Sequence, residues 1–150
     1  MITRILYFGF RIFCFLFRPV RTGVRVMMIR DDHVVLVRQT YVPGWFMPGG
    51  GVKRGETLDQ AARREAREET GAELGEITFL GAYTNFSEWK TDHNILFLCR
   101  DFKFVGRPDR EVAEVRGFSL TKLPDHLWPG HLRRLEEYRA GAVLPRTGEW

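Results

Sequence analysis

A run of glycines that leads into a glutamate-rich helix constrains this chain more than any other feature of its sequence. Leu58 to Thr70 consists mostly of Ala, Arg, Glu and Gln, which are strong helix formers. Thr57 and Gln60 have the spacing of a capping box, and Gly71 stands where a left-handed residue ends a helix. The pattern therefore predicts one helix that begins after Thr57 and ends at Gly71.

The acidic side chains of this predicted helix share the side that faces the rest of the domain. At about 100° per residue, the apolar residues and three glutamates fall together, and the arginines fall opposite them. The inward group is Leu58, Ala61, Ala62, Glu65, Ala66, Glu68 and Glu69, and the outward group is Arg63, Arg64 and Arg67. The alternative is a solvated surface helix with ion pairs such as Arg64–Glu68, each contributing about 0.2–0.5 kcal/mol.

The clustered glutamates predict a metal site. Three carboxylates on one face repel each other unless a cation lies between them, and Mg²⁺ and Mn²⁺ prefer oxygen ligands. The preceding glycines, Gly49 to Gly51, allow the backbone to approach a ligand closely. Backbone N–H groups there and at the helix N-terminus favour phosphate. The loop and the helix together therefore indicate metal-dependent phosphate chemistry.

The segment from residue 50 to residue 72 resembles the Nudix box, in which glycines, glutamates and one arginine recur at fixed spacings. The matching residues are Gly50, Glu56, Arg64, Glu65, Glu68, Glu69 and Gly71. Ala66 and Ala72 depart from the box, which has bulky aliphatic residues at these two packing positions. The resemblance implies a hydrolase that cleaves the diphosphate linkage of a nucleoside diphosphate-linked compound by metal-activated water.

The same resemblance implies roles for single residues, with Mg²⁺ as the cofactor and Mn²⁺ as its substitute. The implied metal ligands are three side chains and one backbone carbonyl: Glu65, Glu68, Glu69 and Gly49. Arg64 would orient a carboxylate rather than touch the substrate. Glu56 would be either a further metal ligand or a structural partner of Arg64.

The general base stays open, because family members use either a box glutamate or an acid from a distant loop. We favour Glu69 as the base or as a ligand that assists it, beside Glu68. Glu88, Glu111 and Glu114 lie in predicted loops and are the alternatives. Each of these three also fits a solvated surface acid.

Residues outside the box are expected to select the substrate. Motifs that accompany hydrolases of ADP-ribose, diadenosine polyphosphates, coenzyme A and NADH are absent, which favours nucleoside triphosphates or nucleotide sugars. The candidate substrate-binding residues are the loop glycines Gly50 and Gly51, the aromatics Trp45, Phe46, Phe86 and Trp89 for stacking on a base, and Asn85 for its edge. Each aromatic also fits simple packing.

Two other functions compete with hydrolysis. A non-catalytic Nudix-fold nucleotide sensor is the alternative, although such modules usually lose box acids and this chain keeps all of them. An isomerase on the same fold is disfavoured, because its extended motif does not fit. The net charge of +4 attracts any polyphosphate, and no nucleic-acid recognition motif is present, so the expected partner is a nucleotide-type small molecule.

Apolar, β-branched runs predict a mixed sheet that surrounds the glutamate helix. The predicted strands cover residues 23–30, 33–39, 76–83, 94–102 and 114–120, and a second helix covers 130–140. A single domain over residues 21–150 with a helix on each sheet face follows, and the family's α/β/α sandwich agrees with it. The two distant cysteines, Cys14 and Cys99, fit buried thiols in a reducing, cytoplasmic compartment.

Residues 1–20 are predicted to form a separate amphipathic, aromatic-rich helix. Its apolar stretch is shorter than the roughly 20 residues that span a bilayer, and it lacks a signal-peptide cleavage site. Arg4, Arg11 and Arg18 are seven residues apart and would line one face. Through residues 4–18 the helix could contact a membrane surface, cover its own domain, or join a second subunit in a homodimer.

Overall fold

The computed structural model describes residues 15–87, 89–142 and 146–150, and a six-stranded mixed sheet forms its centre. The strands are β1 (Val20–Arg30), β2 (His33–Gln39), β3 (Ala72–Leu74), β4 (Ile77–Ser87), β5 (Lys90–Cys99), β6 (Phe102–Phe104), β7 (Val112–Ser119) and β8 (Arg146–Glu149). The sheet order is β7-β2-β1-β5-β4-β8, while β3 and β6 form a separate antiparallel pair. Strand β1 is parallel to β5, and β4 is parallel to β8.

Two helices, α1 (Leu58–Thr70) and α2 (Pro129–Arg139), pack on opposite faces of this sheet. Successive residues of β1 point to opposite faces, so this strand supplies both cores. Val24, Val26 and Met28 pack with the alanines of α1. Met27 and Ile29 pack on the other face, in the same cluster as Leu135 of α2. The predicted α/β/α arrangement is therefore confirmed.

Helix α1 begins and ends where its local sequence predicts. The backbone N–H of Gln60 donates to Thr57 Oγ1 at 3.2 Å, and Gln60 Oε1 accepts from the Thr57 N–H at 2.9 Å. Gly71 adopts a left-handed conformation with φ of 71° and donates to the Arg67 carbonyl. Both ends thus satisfy helix groups that would otherwise lack partners. Leu58, expected to point inward, is instead 39% exposed in the first turn.

Strands β1 and β2 pair only beside their connecting turn and then diverge. Their register pairs are Ile29 with Val34 and Arg30 with His33. Residues 46–52 fill the gap with backbone hydrogen bonds of 2.8–3.0 Å, which join Val37 to Phe46, Val26 to Pro48, Val24 to Gly50 and Val52 to Thr22. We call residues 46–52 the inserted loop. The glycines that precede α1 are therefore built into the sheet.

Several strand boundaries differ from the prediction. The expected strand over 94–102 divides into β5 and β6, and β4 extends to Ser87 instead of ending near residue 83. The added residues are mostly polar and form strands because β4 and β5 pair with each other down to Ser87 and Lys90. The short strands β3 and β8 carry no alternating apolar pattern, so long-range pairing rather than local sequence defines them.

The N-terminal prediction is mostly outside the described residues. Residues 1–14 lie there, and with them Cys14 and most of the predicted amphipathic helix; residues 15–17 are helical. Cys99 is a buried free thiol, as expected. Within the described part of the chain, no helix is long and apolar enough to cross a membrane.

Candidate active site

Arg64, expected on the outer side of the helix, is instead the centre of a hydrogen-bonded cluster between α1 and the inserted loop, because its long side chain reaches back to Glu65 and Glu68. Its Nε and Nη2 donate to the two carboxylate oxygens of Glu56 at 2.7 and 2.9 Å. Its Nη1 donates to Glu65 at 2.6 Å and to Glu68 at 3.1 Å. Nη2 also donates to the Gly51 carbonyl at 3.0 Å. One guanidinium therefore holds two box glutamates, the isolated glutamate and the glycine loop in a fixed relation.

The bidentate pair changes the charge properties of Glu56. Hydrogen bonds from Arg64, and a weaker one from the Lys53 backbone N–H, lower the pKa of Glu56 to about 2. The same carboxylate raises the pKa of Arg64, so both groups stay ionised at physiological pH. This is the structural partnership with Arg64 that was one of the two alternatives for Glu56.

Glu69 occupies a different environment from the other box glutamates. It is only 9% exposed, and its two oxygens accept hydrogen bonds from the Gly49 backbone N–H and from Gln39 Nε2, both at 2.8 Å. Burial raises the pKa of Glu69, although the Gly49 N–H and the Arg25 guanidinium oppose this shift. Glu69 is therefore a fixed carboxylate that holds a proton more readily than an ordinary glutamate.

The glycines of the inserted loop are required by close contacts. A Cβ atom on Gly50 would lie 2.6 Å from Glu65 Oε1, so the Glu65 carboxylate rests directly on the backbone. Gly49 has a φ of +148°, and a Cβ there would lie 2.1 Å from the Val24 carbonyl oxygen. No larger residue fits either position without displacing the loop or the glutamate.

Arg25, in the middle of β1, contacts the inserted loop from the sheet. Its Nη1 donates to the Gly49 carbonyl, the group predicted to serve as a backbone metal ligand. Burial lowers the pKa of Arg25, while Glu69 and Glu65 raise it. A carbonyl oxygen has two lone pairs, so this hydrogen bond still leaves Gly49 one position for a cation.

The donor chemistry of the cluster suits a hard divalent cation. Glu65, Glu68, Glu69 and the Gly49 carbonyl offer only oxygen atoms, which Mg²⁺ prefers. Among the residues that the structure describes, no three His, Cys, Asp or Glu side chains lie close enough together to hold a metal ion. Hydrogen bonds keep the three carboxylates apart. Arg64 binds Glu65 and Glu68, whereas the Gly49 N–H and Gln39 hold Glu69.

The candidate general bases differ in their surroundings. Glu114 pairs with Arg38 at 3.0 Å and also contacts Arg116, and these hydrogen bonds lower its pKa. Glu111 is exposed at the start of β7, and its charge helps burial to raise the pKa of Tyr41, which Glu69 also raises. Glu111 and Glu69 thus both act on Tyr41, whereas Glu114 is paired with two arginines. Glu88 lies outside the described residues.

The aromatic residues predicted to bind a base occupy three different environments. Trp45 is 9% exposed in the core, with its ring 4.8 Å from that of Phe118. Phe46 is half-buried, and its ring lies 5.4 Å from Trp128. Trp89 is 54% exposed at the β4–β5 turn. The ring of Trp45 is thus used in core packing, whereas Phe46, in the inserted loop, keeps part of its surface exposed.

A row of polar residues crosses the sheet near the loop. Asn85 of β4 pairs with Asp92 of β5, which pairs with Arg21 of β1. Arg25 follows Arg21 by four residues and so points to the same face, where the charge of Asp92 raises its pKa. This polar row places Asn85 on the sheet face that Arg25 occupies, opposite α1.

Two contacts of the cluster were missing from the sequence prediction. Arg25 and Gln39 lie in strands whose apolar residues dominate the pattern, yet one donates to Gly49 and the other to Glu69. A signal for Arg25 was present, because a single charged residue inside the run from Val24 to Ile29 must find a partner when the strand is buried. Gln39 gives no comparable signal, since it ends its strand.

Comparisons with known proteins show which family and fold the chain resembles. A NUDIX domain model matches residues 19–138. A putative 8-oxo-dGTP diphosphatase from Bacillus subtilis is 26% identical over 117 residues, which are 78% of each chain. An NAD-capped RNA hydrolase from Pseudomonas aeruginosa is 30% identical over 104 residues, but this chain spans only 36% of its length. The crystal structure of a MutT NUDIX hydrolase from Burkholderia pseudomallei has a TM-score of 0.72 at 25% identity, over 78% of this chain and 96% of the other.

Proposed function

Since the chain belongs to the Nudix family of pyrophosphohydrolases, we propose that it hydrolyses the diphosphate linkage of nucleoside diphosphate-linked compounds with Mg²⁺, or with Mn²⁺ in its place. Nucleoside triphosphates and nucleotide sugars are the favoured substrates. The relative from Bacillus subtilis supports this choice, because its name refers to a nucleoside triphosphate and the match covers 78% of both chains. The observation that carries the proposal is the Arg64 cluster, which holds Glu65 and Glu68 against the glycine loop.

The residues of the cluster have different roles in the proposed reaction. A divalent cation held by Glu65, Glu68, Glu69 and the Gly49 carbonyl would neutralise phosphate charge and lower the pKa of a bound water. Arg64 positions Glu65 and Glu68 without touching the substrate. Gly50 and Gly51 let the backbone approach the phosphates, since neither carries a side chain in the loop.

Glu69 is the favoured proton acceptor. Its raised pKa suits a group that takes a proton from the attacking water near neutral pH. Its hydrogen bonds to Gly49 and Gln39 keep the carboxylate oriented while the proton arrives. Glu111 is the competing base, and its backbone carbonyl accepts a hydrogen bond from the Thr40 N–H, next to Gln39, which binds Glu69. The polar row is the proposed contact for the base or sugar of the substrate, through Asn85.

A substrate screen tests the proposal. The full-length protein is incubated with nucleoside triphosphates, including 8-oxo-dGTP, and with nucleotide sugars, each with Mg²⁺, Mn²⁺ or a chelator. Product phosphates are measured after coupling to a phosphatase, and the cleaved bond is identified by mass spectrometry in ¹⁸O-labelled water. We expect turnover that requires the cation. Nucleotide binding in calorimetry without turnover of any compound would instead support the sensor function.

A further inference from the structure

An exposed apolar surface lies at one end of the sheet, where residues 15–20 meet the β4–β5 hairpin. We call it the hairpin patch, and it consists of Phe15, Leu16, Phe17, Val20, Phe86 and Trp89. These side chains are 52–70% exposed. Single exposed apolar residues are common on proteins, but a group of this size at one place indicates an interaction surface.

Contacts and strand register join the members of the hairpin patch. The rings of Phe15 and Trp89 meet edge to face at 5.3 Å, so the helical residues 15–17 stand against the hairpin turn. Val20 pairs with Thr91, and Thr91 pairs with Phe86. Because paired residues of neighbouring strands point to the same side, Val20 and Phe86 share one sheet face. The patch is therefore continuous from the turn onto the sheet.

The hairpin patch is separate from the polar row at the same end of the sheet. Phe86 follows Asn85 and Val20 precedes Arg21, so alternation points the apolar pair away from Asn85 and Arg21. Helix α1 covers this apolar face farther along β1, at Val24. Val20, by contrast, is 68% exposed. Neither the core nor the proposed catalytic cluster uses this surface.

The charges around the hairpin patch are basic. Arg18 follows Phe17 and is exposed, whereas Arg21 points to the other face of the sheet, and the chain contains no Asp or Glu before Asp31. In the hairpin, Lys90 Nζ lies 3.3 Å from the Asp92 carboxylate, and Glu88, which precedes Trp89, is outside the described residues. Arg4 and Arg11 precede the patch in the sequence and are also outside the described residues. A partner of this surface must therefore be both apolar and anionic.

We propose that the hairpin patch docks on an anionic lipid surface. Aromatic side chains favour the boundary between lipid headgroups and acyl chains, and nearby arginines bind acidic headgroups. A second copy of the chain fits less well, because the arginine-rich sequence before Asp31 carries no acid that could pair with the same arginines of another copy. Residues 15–17 do not cover the patch, because Phe15 meets Trp89 edge to face while Phe15, Leu16 and Phe17 are themselves exposed.

Vesicle flotation tests this docking with the full-length protein. The vesicles contain either phosphatidylcholine alone or an equal mixture of phosphatidylcholine and phosphatidylserine. We expect the protein to float with the mixed vesicles, to float weakly with phosphatidylcholine, and to lose the difference at high salt. Absence of flotation with the mixed vesicles would overturn the proposal.

A double variant and a control variant test whether vesicle binding depends on the hairpin patch or on exposed aromatic side chains in general. Phe17→Ser combined with Phe86→Ser should lower partitioning onto the mixed vesicles by about tenfold or more, because two aromatic side chains no longer enter the interface. Phe104→Ser is the control, since Phe104 is 55% exposed on β6 and lies outside the patch. Circular dichroism melting curves confirm folding of each variant. Equal loss in both variants, or no loss in the double variant, contradicts the proposal.

Fluorescence and light scattering distinguish a lipid surface from a second copy. Trp89 emission should shift to shorter wavelength on mixed vesicles, and Trp89→Phe should remove the shift while it keeps the apolar contact. A concentration-dependent dimer that the double variant abolishes, together with indifference to vesicles, would make the patch a self-association face and the lipid proposal wrong.

Discussion

Helices α1 and α2 pack against opposite faces of the same sheet, but they contact it with very different side chains. Helix α1 buries Ala61, Ala62 and Ala66, which are small enough to bring its backbone close to the sheet. Helix α2 buries His131, Arg134 and Leu135, which fill a thicker layer. The close approach of α1 places its glutamates on the inserted loop, whereas the bulk of α2 completes the core.

One arginine from each helix, Arg64 of α1 and Arg134 of α2, shows the same contrast. Arg64 of α1 contacts carboxylates at the edge of the loop. Arg134 of α2 is 4% exposed, donates to the Glu149 carbonyl at 3.1 Å and to Glu137 at 2.9 Å, and lies 4.0 Å from the centre of the Tyr83 ring. Arg134 therefore connects β8 to the domain, while Arg64 holds the acids of the proposed active site. The role of each guanidinium group depends on its partners: Arg134 stabilises the fold, and Arg64 is proposed to position the acids of the site.

The largest expected effect is a difference in kcat between glutamate substitutions in α1 and a glutamate substitution in α2. Glu68→Gln or Glu69→Gln should lower kcat by about 10²–10⁴-fold or more, because the site loses a metal-binding or proton-accepting carboxylate. The measurement is steady-state kinetics on the best substrate of the screen, with thermal melting to confirm folding. Glu136→Gln, at an exposed position of α2, is the matched control and should leave kcat unchanged. Near-normal turnover in either α1 variant would remove that glutamate from the site.

The second prediction is that a leucine of α2 contributes more to the free energy of unfolding than a leucine of α1. Leu135→Ala should lower the free energy of unfolding by about 2–5 kcal/mol, because Leu135 is fully buried in the cluster between α2 and the sheet. Urea unfolding at neutral pH measures this change. Leu58→Ala, at a residue of α1 that is 39% exposed, should cost less than about 1 kcal/mol. Similar costs at the two positions would show that the helices do not differ in this way.

The third prediction concerns how the two helices begin. Thr57→Ala should lower the free energy of unfolding by about 1 kcal/mol, because it removes the hydrogen bond that caps α1. Thr57→Ser keeps the hydroxyl and should cost much less. Helix α2 has no such side-chain cap and begins with Pro129, so its start depends on tertiary contacts. If Ala and Ser at residue 57 cost the same, the capping hydrogen bond does not stabilise α1.

The smallest expected effect is a pH dependence of the Arg64 cluster. The folded state lowers the pKa of Glu56 from 4.5 to about 2, so its contribution to stability is complete above 4.5 and is lost as the pH falls towards 2. The melting temperatures of the wild type and Glu56→Gln should therefore differ most at neutral pH and converge in acid. A difference that stays constant across this range would mean that ionisation of Glu56 contributes nothing.

Local sequence predicted the parts of the molecule that depend on near neighbours. Thr57, Gln60 and Gly71 define α1 through contacts within a few residues, and both of its ends were predicted correctly. The contacts of Glu69 with Gln39 and Gly49 join residues that are 30 and 20 positions apart, so no local pattern reveals them. Strand β8 likewise exists through its register with β4, between Gly81 and Arg146 for example. Trp45 shows a further limit, because an aromatic residue beside a glycine loop fits a core as well as a pocket.

The insertion of residues 46–52 between β1 and β2 affects how the site moves. The N–H groups of Phe46 and Val52 donate to β2 and β1, and the carbonyls of Pro48 and Gly50 accept from β1, so the Phe46 and Val52 amides should exchange with deuterium as slowly as those of the central strands. Opening the loop would require partial unfolding of the sheet. The glycine backbone is thus ordered before a nucleotide arrives, and binding need not spend conformational entropy on it.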